Sequence, residues 1–302
     1  MPEENKRPAL PPLRKAQIPR VAAVHGLVAY GNCSLSVPMA VLPAGGCEVL
    51  PFPSSVLSSH TAFPGFCLYK TDPALPEFLK QWKKIGVKPD GLYSGFLGSA
   101  ELIRFIKAFT RQYPDAYRII DPVMGDHGKR YATITDALAE GIKSLLPAAD
   151  VLVPNLTEAA ILTGSAYKGQ NLSREDGKRL CAALLEKGAR QVILKGMQRG
   201  RRIYNGVAAE GRPYRETETP LFPKSFYGTG DLFASCLAAA LFSGHTLEDA
   251  AAFAAELVYD AVVFSQRQEG AEQRGIAFEV FLGRVASFCR REDLTGKTEN
   301  FS

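Results

Sequence analysis

The densest chemistry in this 302-residue sequence lies in four consecutive residues, Gly228, Thr229, Gly230 and Asp231. The two glycines let the main chain turn without side-chain obstruction, so that successive N–H groups face one point. The apolar, Ala-rich run that follows reads as a helix, and the amino end of a helix attracts a phosphate oxygen. Asp231 falls in the first turn, within reach of the same point. Amides that hold developing negative charge, beside a carboxylate that takes a proton, suit phosphoryl transfer to a hydroxyl. A plain glycine loop followed by a dipole-matching aspartate would look the same, so the rest of the chain must decide.

Further segments put polar groups at the carboxyl ends of strands, where α/β folds place their ligands. The strand Tyr117-Arg-Ile-Ile-Asp121 runs into Asp121-Pro-Val-Met-Gly-Asp126. Two carboxylates across a Pro/Gly turn can hold Mg²⁺ through water, while Asp-Pro is equally a turn opener. Asp150-Val-Leu-Val-Pro-Asn-Leu-Thr-Glu158 repeats the design, with Glu158 in the first turn of the next helix and Asn155 able to cap it. Gln191-Val-Ile-Leu-Lys195 ends in a lysine, a point charge suited to a polyphosphate or a solvated strand end. The short polar stretch Ser54–Thr61, ending in His60 and Thr61, reads as a substrate-facing loop or as an ordinary Ser/Thr-rich turn.

The elements that must position these groups alternate. Apolar runs at 20–24, 47–52, 91–94, 117–121, 150–153 and 191–195 suit strands, and Leu75–Ile85, Ser99–Phe109 and Ser173–Lys187 have helical spacing. Residues 202–209 and 213–219 look like the arms of an exposed hairpin, and 246–265 and 277–290 like two closing helices. Strand–helix alternation continuing from Val21 predicts one doubly wound α/β domain over residues 20–290, after a poorly ordered Pro-rich arm (1–19) and before a tail (291–302).

Composition removes several alternatives. Gly26 and Gly31 have P-loop spacing, but Asn32 and Cys33 stand where Lys and Ser/Thr are required, and no G-x-G-x-x-G follows the first strand. Cysteines 33, 47, 67, 181, 236 and 289 are scattered, so neither a disulfide framework nor a zinc site is expected. The net charge of +5 sits mainly in the arm, whose first twenty residues carry five basic and two acidic side chains. Neither nucleic acid nor membrane is an expected partner, and the cytoplasm is the expected compartment.

Taken together, Ser94-Gly-Phe-Leu-Gly98, Asp121-Pro-Val-Met-Gly-Asp126, Pro154-Asn-Leu-Thr-Glu158 and Gly228-Thr-Gly-Asp231 resemble the pyridoxal kinase family, within the ribokinase-like fold. Ser58-Ser-His-Thr61 is similar to that family's Ser-Asn-His-Thr segment. The resemblance implies a three-layer α/β fold with a central, mostly parallel sheet and helices on both faces. It also implies ATP- and Mg²⁺-dependent phosphorylation of the 5′-hydroxymethyl group of a vitamin B6 vitamer. On that likeness Asp231 is the catalytic base, and Gly228, Thr229 and Gly230 form the anion hole. Asp121, Asn155 and Glu158 organise metal and phosphates, with Asp121 and Glu158 toward the metal. Asp126, Tyr131, Lys195 and Thr229 lie at ATP, and Thr61, Phe96, Gly26 and His60 at the vitamer. K⁺ and a homodimer are further expectations of the family. Two departures stand out: Gly26 where relatives carry a polar residue, often Ser, and Val153 where some carry Thr. Hydroxymethylpyrimidine kinases share the fold, but often have Cys-Gly-Thr-Gly-Cys where this chain has Tyr-Gly-Thr-Gly-Asp. A non-catalytic B6-binding relative is the remaining alternative.

Overall fold

The computed structural model describes residues 17–222 and 224–291, so most of the expected arm and nearly all of the tail lie outside the described residues. The chain opens with β1 (Arg20–Val28), α1 (Ser36–Ala44), β2 (Glu48–Leu57) and β3 (Leu68–Lys70). Next come α2 (Leu75–Ile85), β4 (Gly91–Ser94), α3 (Ala100–Gln112) and β5 (Tyr117–Ile120). A small ribbon, β6 (Gly125–Asp126) and β7 (Lys129–Arg130), leads to α4 (Asp136–Lys143), β8 (Val151–Leu152), α5 (Leu156–Thr163) and α6 (Arg174–Glu186). The strands β9 (Gln191–Arg199), β10 (Arg202–Ala209) and β11 (Arg215–Pro220) form an antiparallel meander. Four helices follow: α7 (Thr229–Phe242), α8 (Leu247–Ser265), the short α9 (Ala271–Arg274) and α10 (Leu282–Phe288).

Nine strands form one sheet in the order β11-β10-β9-β8-β5-β4-β1-β2-β3. From β9 to β2 every neighbour is parallel, and antiparallel strands occur only at the two edges. The fold is thus α/β and ribokinase-like, with helices on both faces. Successive residues along each strand point to opposite faces, and the cores divide accordingly. Val21, Tyr93, Ile119 and Ile193 pack under α1, α7 and α8, whereas Ala22, Leu92, Ile120 and Leu194 pack under α2 to α6.

The helix that carries the glycine motif packs directly on glycine positions of the sheet and of the turn after α1. The Phe242 ring fills the space that a Cβ on Gly91 would need, and Ala239 does the same at Gly45. Ten residues of α7 are buried, four of them alanines; the missing side chain at Gly91 makes room for the large Phe242 ring, and Ala239 fits against Gly45. The amino end of α7 is thereby fixed at the carboxyl ends of β1 and β4.

The alternation is less regular than its sequence suggests. β1 continues through His25 and Gly26 to Val28, and β2 through Ser54 to Leu57, because Gly26, Leu27 and Val28 pair with Ser55, Val56 and Leu57. The stretch from Ser54 is therefore half strand, and only its end is loop. The 202–209 arm is no exposed hairpin: Asn205–Ala208 are buried in the sheet under α6 and α8. The last helix is shorter than expected, and α4 and the β6–β7 ribbon carry no period the sequence reading found. Five of the six cysteines are buried, Cys67 being exposed, and all six are free thiols.

Candidate active site

The site is built from the α7 end outward. Gly228 has φ 82 and caps α7 with no side chain. The N–H groups of Thr229, Gly230 and Asp231 therefore face out of the helix end. A Cβ at Gly228 would overlap the Asn32 carbonyl oxygen, so glycine is required there twice over, by conformation and by space. Asp231 is half-buried, and its Oδ2 accepts a hydrogen bond of 2.8 Å from the Ser34 N–H. Burial pushes its carboxyl up to about 6, with the Asp121 charge adding to the rise and the Ser34 N–H and Lys195 opposing it. Ser34 holds φ 54, an uncommon conformation for a residue with a side chain.

Asp121, Glu158 and Lys195 make the second group. The Lys195 ammonium lies 3.2 Å from both Asp121 oxygens, and only 3.9 Å from the point a Cβ on Gly230 would occupy. That one cation connects the acidic corner to the glycine hole. Burial raises the Asp121 carboxyl, and Lys195 partly offsets the rise. The Lys195 amine is itself held above its usual range by Asp121 and Glu158, against the effect of burial. Glu158 is 2% exposed. Its oxygens accept from Asn155 N–H at 2.7 Å and Met124 N–H at 3.2 Å, and burial together with Asp121 moves it up to about 8. Asn155 caps α5 in a reciprocal capping box and also donates to the Gly125 carbonyl at 2.9 Å. The cap reading and the site reading of Asn155 are therefore compatible: the cap fixes the turn on which Glu158 sits. Asp126 and Tyr131 lie on the rim, exposed, and Tyr131 is raised by burial and then by the charges of Glu158, Asp126, Asp121 and Asp231.

The donor set suits a hydrated hard cation better than a caged one. Among the described residues no three His, Cys, Asp or Glu side chains gather as a metal cluster. Two carboxylates whose oxygens already serve an ammonium and main-chain N–H groups match Mg²⁺ that keeps its water and leans on phosphates.

The expected vitamer-facing residues separate into three situations. Phe96 is half-buried on the loop after β4, with its ring against Gly98, and Thr61 is exposed in the turn after β2. Gly26 is buried within β1, and a side chain there would meet Ser55 and Leu57 of β2. It is the preceding residue, His25, that turns toward the β4 loop: its ring lies 4.4 Å from Tyr93 and fills the space beside Gly95. His25 is 1% exposed, neither ring nitrogen makes a hydrogen bond of normal geometry among the described residues, and burial lowers it to about 3 against the opposing effect of the Tyr93 main chain. His60, by contrast, has both ring nitrogens engaged by main chain, Nε2 with the Gln273 carbonyl and Nδ1 with the Ala62 N–H. It packs on Tyr227 beside the hole, so its polar atoms are occupied by the fold.

Residues 68–275 match the phosphomethylpyrimidine kinase family. The pyridoxal kinase PdxY of Histophilus somni is 30% identical over 260 residues, which cover 80% of this chain and 87% of that protein. The chain belongs to the pyridoxal kinase family. A hydroxymethylpyrimidine/phosphomethylpyrimidine kinase of Haemophilus influenzae is 31% identical over 176 residues, 56% of this chain. Those residues span 63% of that relative's length, just under two thirds. A solved protein from Bacteroides thetaiotaomicron, described as a phosphomethylpyrimidine kinase and crystallised in a form with pyridoxal, superposes with a TM-score of 0.84 at 30% identity, covering 89% of this chain and 96% of its own. Membership in this kinase family fits the assembly of Asp231, Asp121, Glu158 and Lys195 around one helix end. What the sequence did not reveal is the main-chain part: the Ser34 N–H on Asp231, and the Met124 N–H on Glu158. Amide contacts are independent of side-chain identity, so no residue type announces them.

Proposed function

We propose that the protein transfers the terminal phosphoryl group of ATP to the 5′-hydroxymethyl group of a vitamin B6 vitamer. The observation that carries this reading is the Asp231 carboxylate, held by the Ser34 N–H at the amino end of α7, where Gly228 brings no capping side chain. It takes the proton of the hydroxymethyl oxygen as that oxygen bonds to phosphorus and the bond to the leaving ADP oxygen breaks. The N–H groups of residues 229–231 hold the charge on the transferring group, and Lys195 adds a positive charge from the other side. Asp121 and Glu158 are the residues that would hold Mg²⁺, which supplies charge neutralisation on the phosphates. Asp126 and Tyr131 border the nucleotide, Thr61 and Phe96 the pyridine ring. His25 takes the recognition role first assigned to Gly26, and His60 shapes the hole through Tyr227. The pyridoxal in the related crystal form and the PdxY likeness favour a B6 vitamer.

Hydroxymethylpyrimidine phosphorylation is the second reading, favoured by the matching family and the Haemophilus influenzae relative. Purified protein with Mg-ATP and each of pyridoxal, pyridoxine, pyridoxamine and hydroxymethylpyrimidine decides between them by ADP release. Highest catalytic efficiency on a B6 vitamer is expected; a preference for the pyrimidine would replace the first reading with the second. Binding without turnover would leave a non-catalytic relative. A homodimer and activation by K⁺ belong to the same proposal, and light scattering and a K⁺-for-Na⁺ exchange check them.

A further inference from the structure

The segment between β1 and α1 touches the transfer site twice. The Asn32 carbonyl lies against Gly228, and two residues on, the Ser34 N–H meets the Asp231 carboxylate. Ser34 stays in a left-handed conformation, which needs surroundings that over-determine it. On its carboxyl side the Leu35 N–H donates to the Gly26 carbonyl at 2.9 Å and Ser36 Oγ donates to the Cys33 carbonyl at 2.8 Å. Asn32 holds the amino side. Its side-chain amide donates to the Ile276 carbonyl at 2.9 Å and to Glu279 Oε1 at 2.8 Å. Its own N–H donates to the Arg274 carbonyl at 2.7 Å, forming a parallel bridge with Gly275.

The strand-like segment it grips also holds the hole from below. Ile276 N–H donates to the Tyr227 carbonyl at 2.9 Å. Gly275, at φ 102, brings its backbone so close that a Cβ would stand 2.9 Å from the Tyr227 oxygen and 3.0 Å from the Asn32 oxygen. Three stretches of chain, 31–34, 227–228 and 274–279, thus meet around Asn32, the last through the Asn32 side-chain amide and N–H, residue 228 through the Asn32 carbonyl. Glu279 completes the arrangement, its other oxygen accepting from the Phe278 N–H at 2.9 Å.

We propose that Asn32 is a positioning residue for phosphoryl transfer, locking the anion hole at Gly228 to the base at Asp231 through the Asn32–Ser34 segment, with Glu279 fixing Asn32 from outside. This rests on the phosphotransferase reading above. The claim is about alignment of the reacting groups, because a displacement on the order of 1 Å far from the chemistry can cost about 10²-fold in rate. Asn32→Ala lowers kcat about 10- to 100-fold while KM for pyridoxal changes less than about threefold. Asn32→Asp removes the donor and sets a second carboxylate against Glu279, and is at least as damaging. The pair Asn32→Asp with Glu279→Gln puts an amide donor back between the two side chains, and regains about tenfold over Asn32→Asp alone. Glu279 is exposed, so Glu279→Ala folds, and lowers kcat by a few-fold in the same direction, about the effect of losing one of two anchors.

The proposal is overturned if Asn32→Ala keeps wild-type kcat, if its loss only tracks the folded fraction measured by thermal unfolding, or if the pair is no better than Asn32→Asp. Should Asn32→Ala not fold, unchanged kcat in Glu279→Ala together with absent rescue in the pair overturns it equally. Wild-type protein that turns over none of the vitamers would instead remove the functional reading, and the proposal with it.

Discussion

The amino end of α7 and the corner formed by Asp121, Glu158 and Lys195 adjoin one another across the Lys195 ammonium, yet they are made of different materials. The α7 end is main chain, stripped of side chains at Gly228 and Gly230, with a single carboxylate at its mouth. The corner is built of charged side chains, two buried acids around one half-buried amine, with Asp121 paired to Lys195 and Glu158 held by the main-chain N–H groups of Met124 and Asn155. Shape therefore governs the first and charge balance the second. A transferring phosphoryl group needs both: oriented dipoles where charge moves, and fixed charges where phosphates and metal must be held.

Breaking each half should give a distinct signature. The largest effect is expected from Asp231→Ala, which lowers turnover by about 10²–10⁴-fold, the usual range for a positioned base. ADP affinity, read by calorimetry, should stay near wild type, since Asp231 belongs to the hydroxyl side of the site. Gly228→Ala comes next. The new methyl group overlaps the Asn32 carbonyl in a left-handed backbone, so kcat drops about 10²-fold, roughly what one lost anion-hole donor costs. Here the net charge of the site is unchanged, and a wild-type rate in this variant would show that shape is not what the α7 end contributes.

Lys195→Met tests charge balance. It leaves Asp121 buried without its ammonium partner, and losing one member of a buried pair costs about 3–5 kcal/mol. Burial already raises the Asp121 carboxyl and Lys195 works against that rise, so without the lysine the folded state holds its proton still more tightly. The variant's loss of thermal stability should therefore be smallest well below the ordinary aspartate range of about 3.9, where Asp121 is protonated in the folded and the unfolded chain alike, and grow as pH rises. A loss independent of pH would contradict the charge account. The smallest expected effect is that of His25→Ala. Its ring nitrogens border the Phe96 loop, so the ranking of the three vitamers by kcat/KM should shift by about 3- to 10-fold, the value of one hydrogen bond to a ligand, with kcat for the best vitamer little changed.

The same contrast explains what the sequence made legible. Asp121, Glu158, Lys195 and Asp231 announced themselves because ionisable side chains at strand ends and a helix start are visible by type and spacing, and the structure gathers them. Asn155 was readable as a cap, and its capping box with Glu158 is present. The main-chain half was hidden. No spacing signals that Ser34 lends its N–H to Asp231 or that Asn32 packs on Gly228, since both depend on contacts between residues roughly two hundred positions apart in the chain. The place of the His25 ring against Tyr93 and the β4 loop was hidden for a related reason: it depends on register against β2, which is irregular between His25 and Gly26. Pro51, Pro53 and the serines at 54 and 55 disguised the length of β2, because its second half is held by pairing with β1 and β3 rather than by apolar alternation. The three-residue β3 is exposed on both faces and has no buried pattern to find.

The central claim is that the Asp231 carboxylate, in its charged form, takes the proton from the accepting hydroxyl. The pH dependence of kcat/KM for the best vitamer at saturating Mg-ATP, measured for wild type and for Asp231→Asn, tests it most directly. Wild type should lose activity about tenfold per pH unit below the pKa near 6 that burial gives this residue, whereas Asp231→Asn should be slow and flat across the same range. An acidic limb that persists unchanged in Asp231→Asn would assign the essential base to another residue and contradict the account.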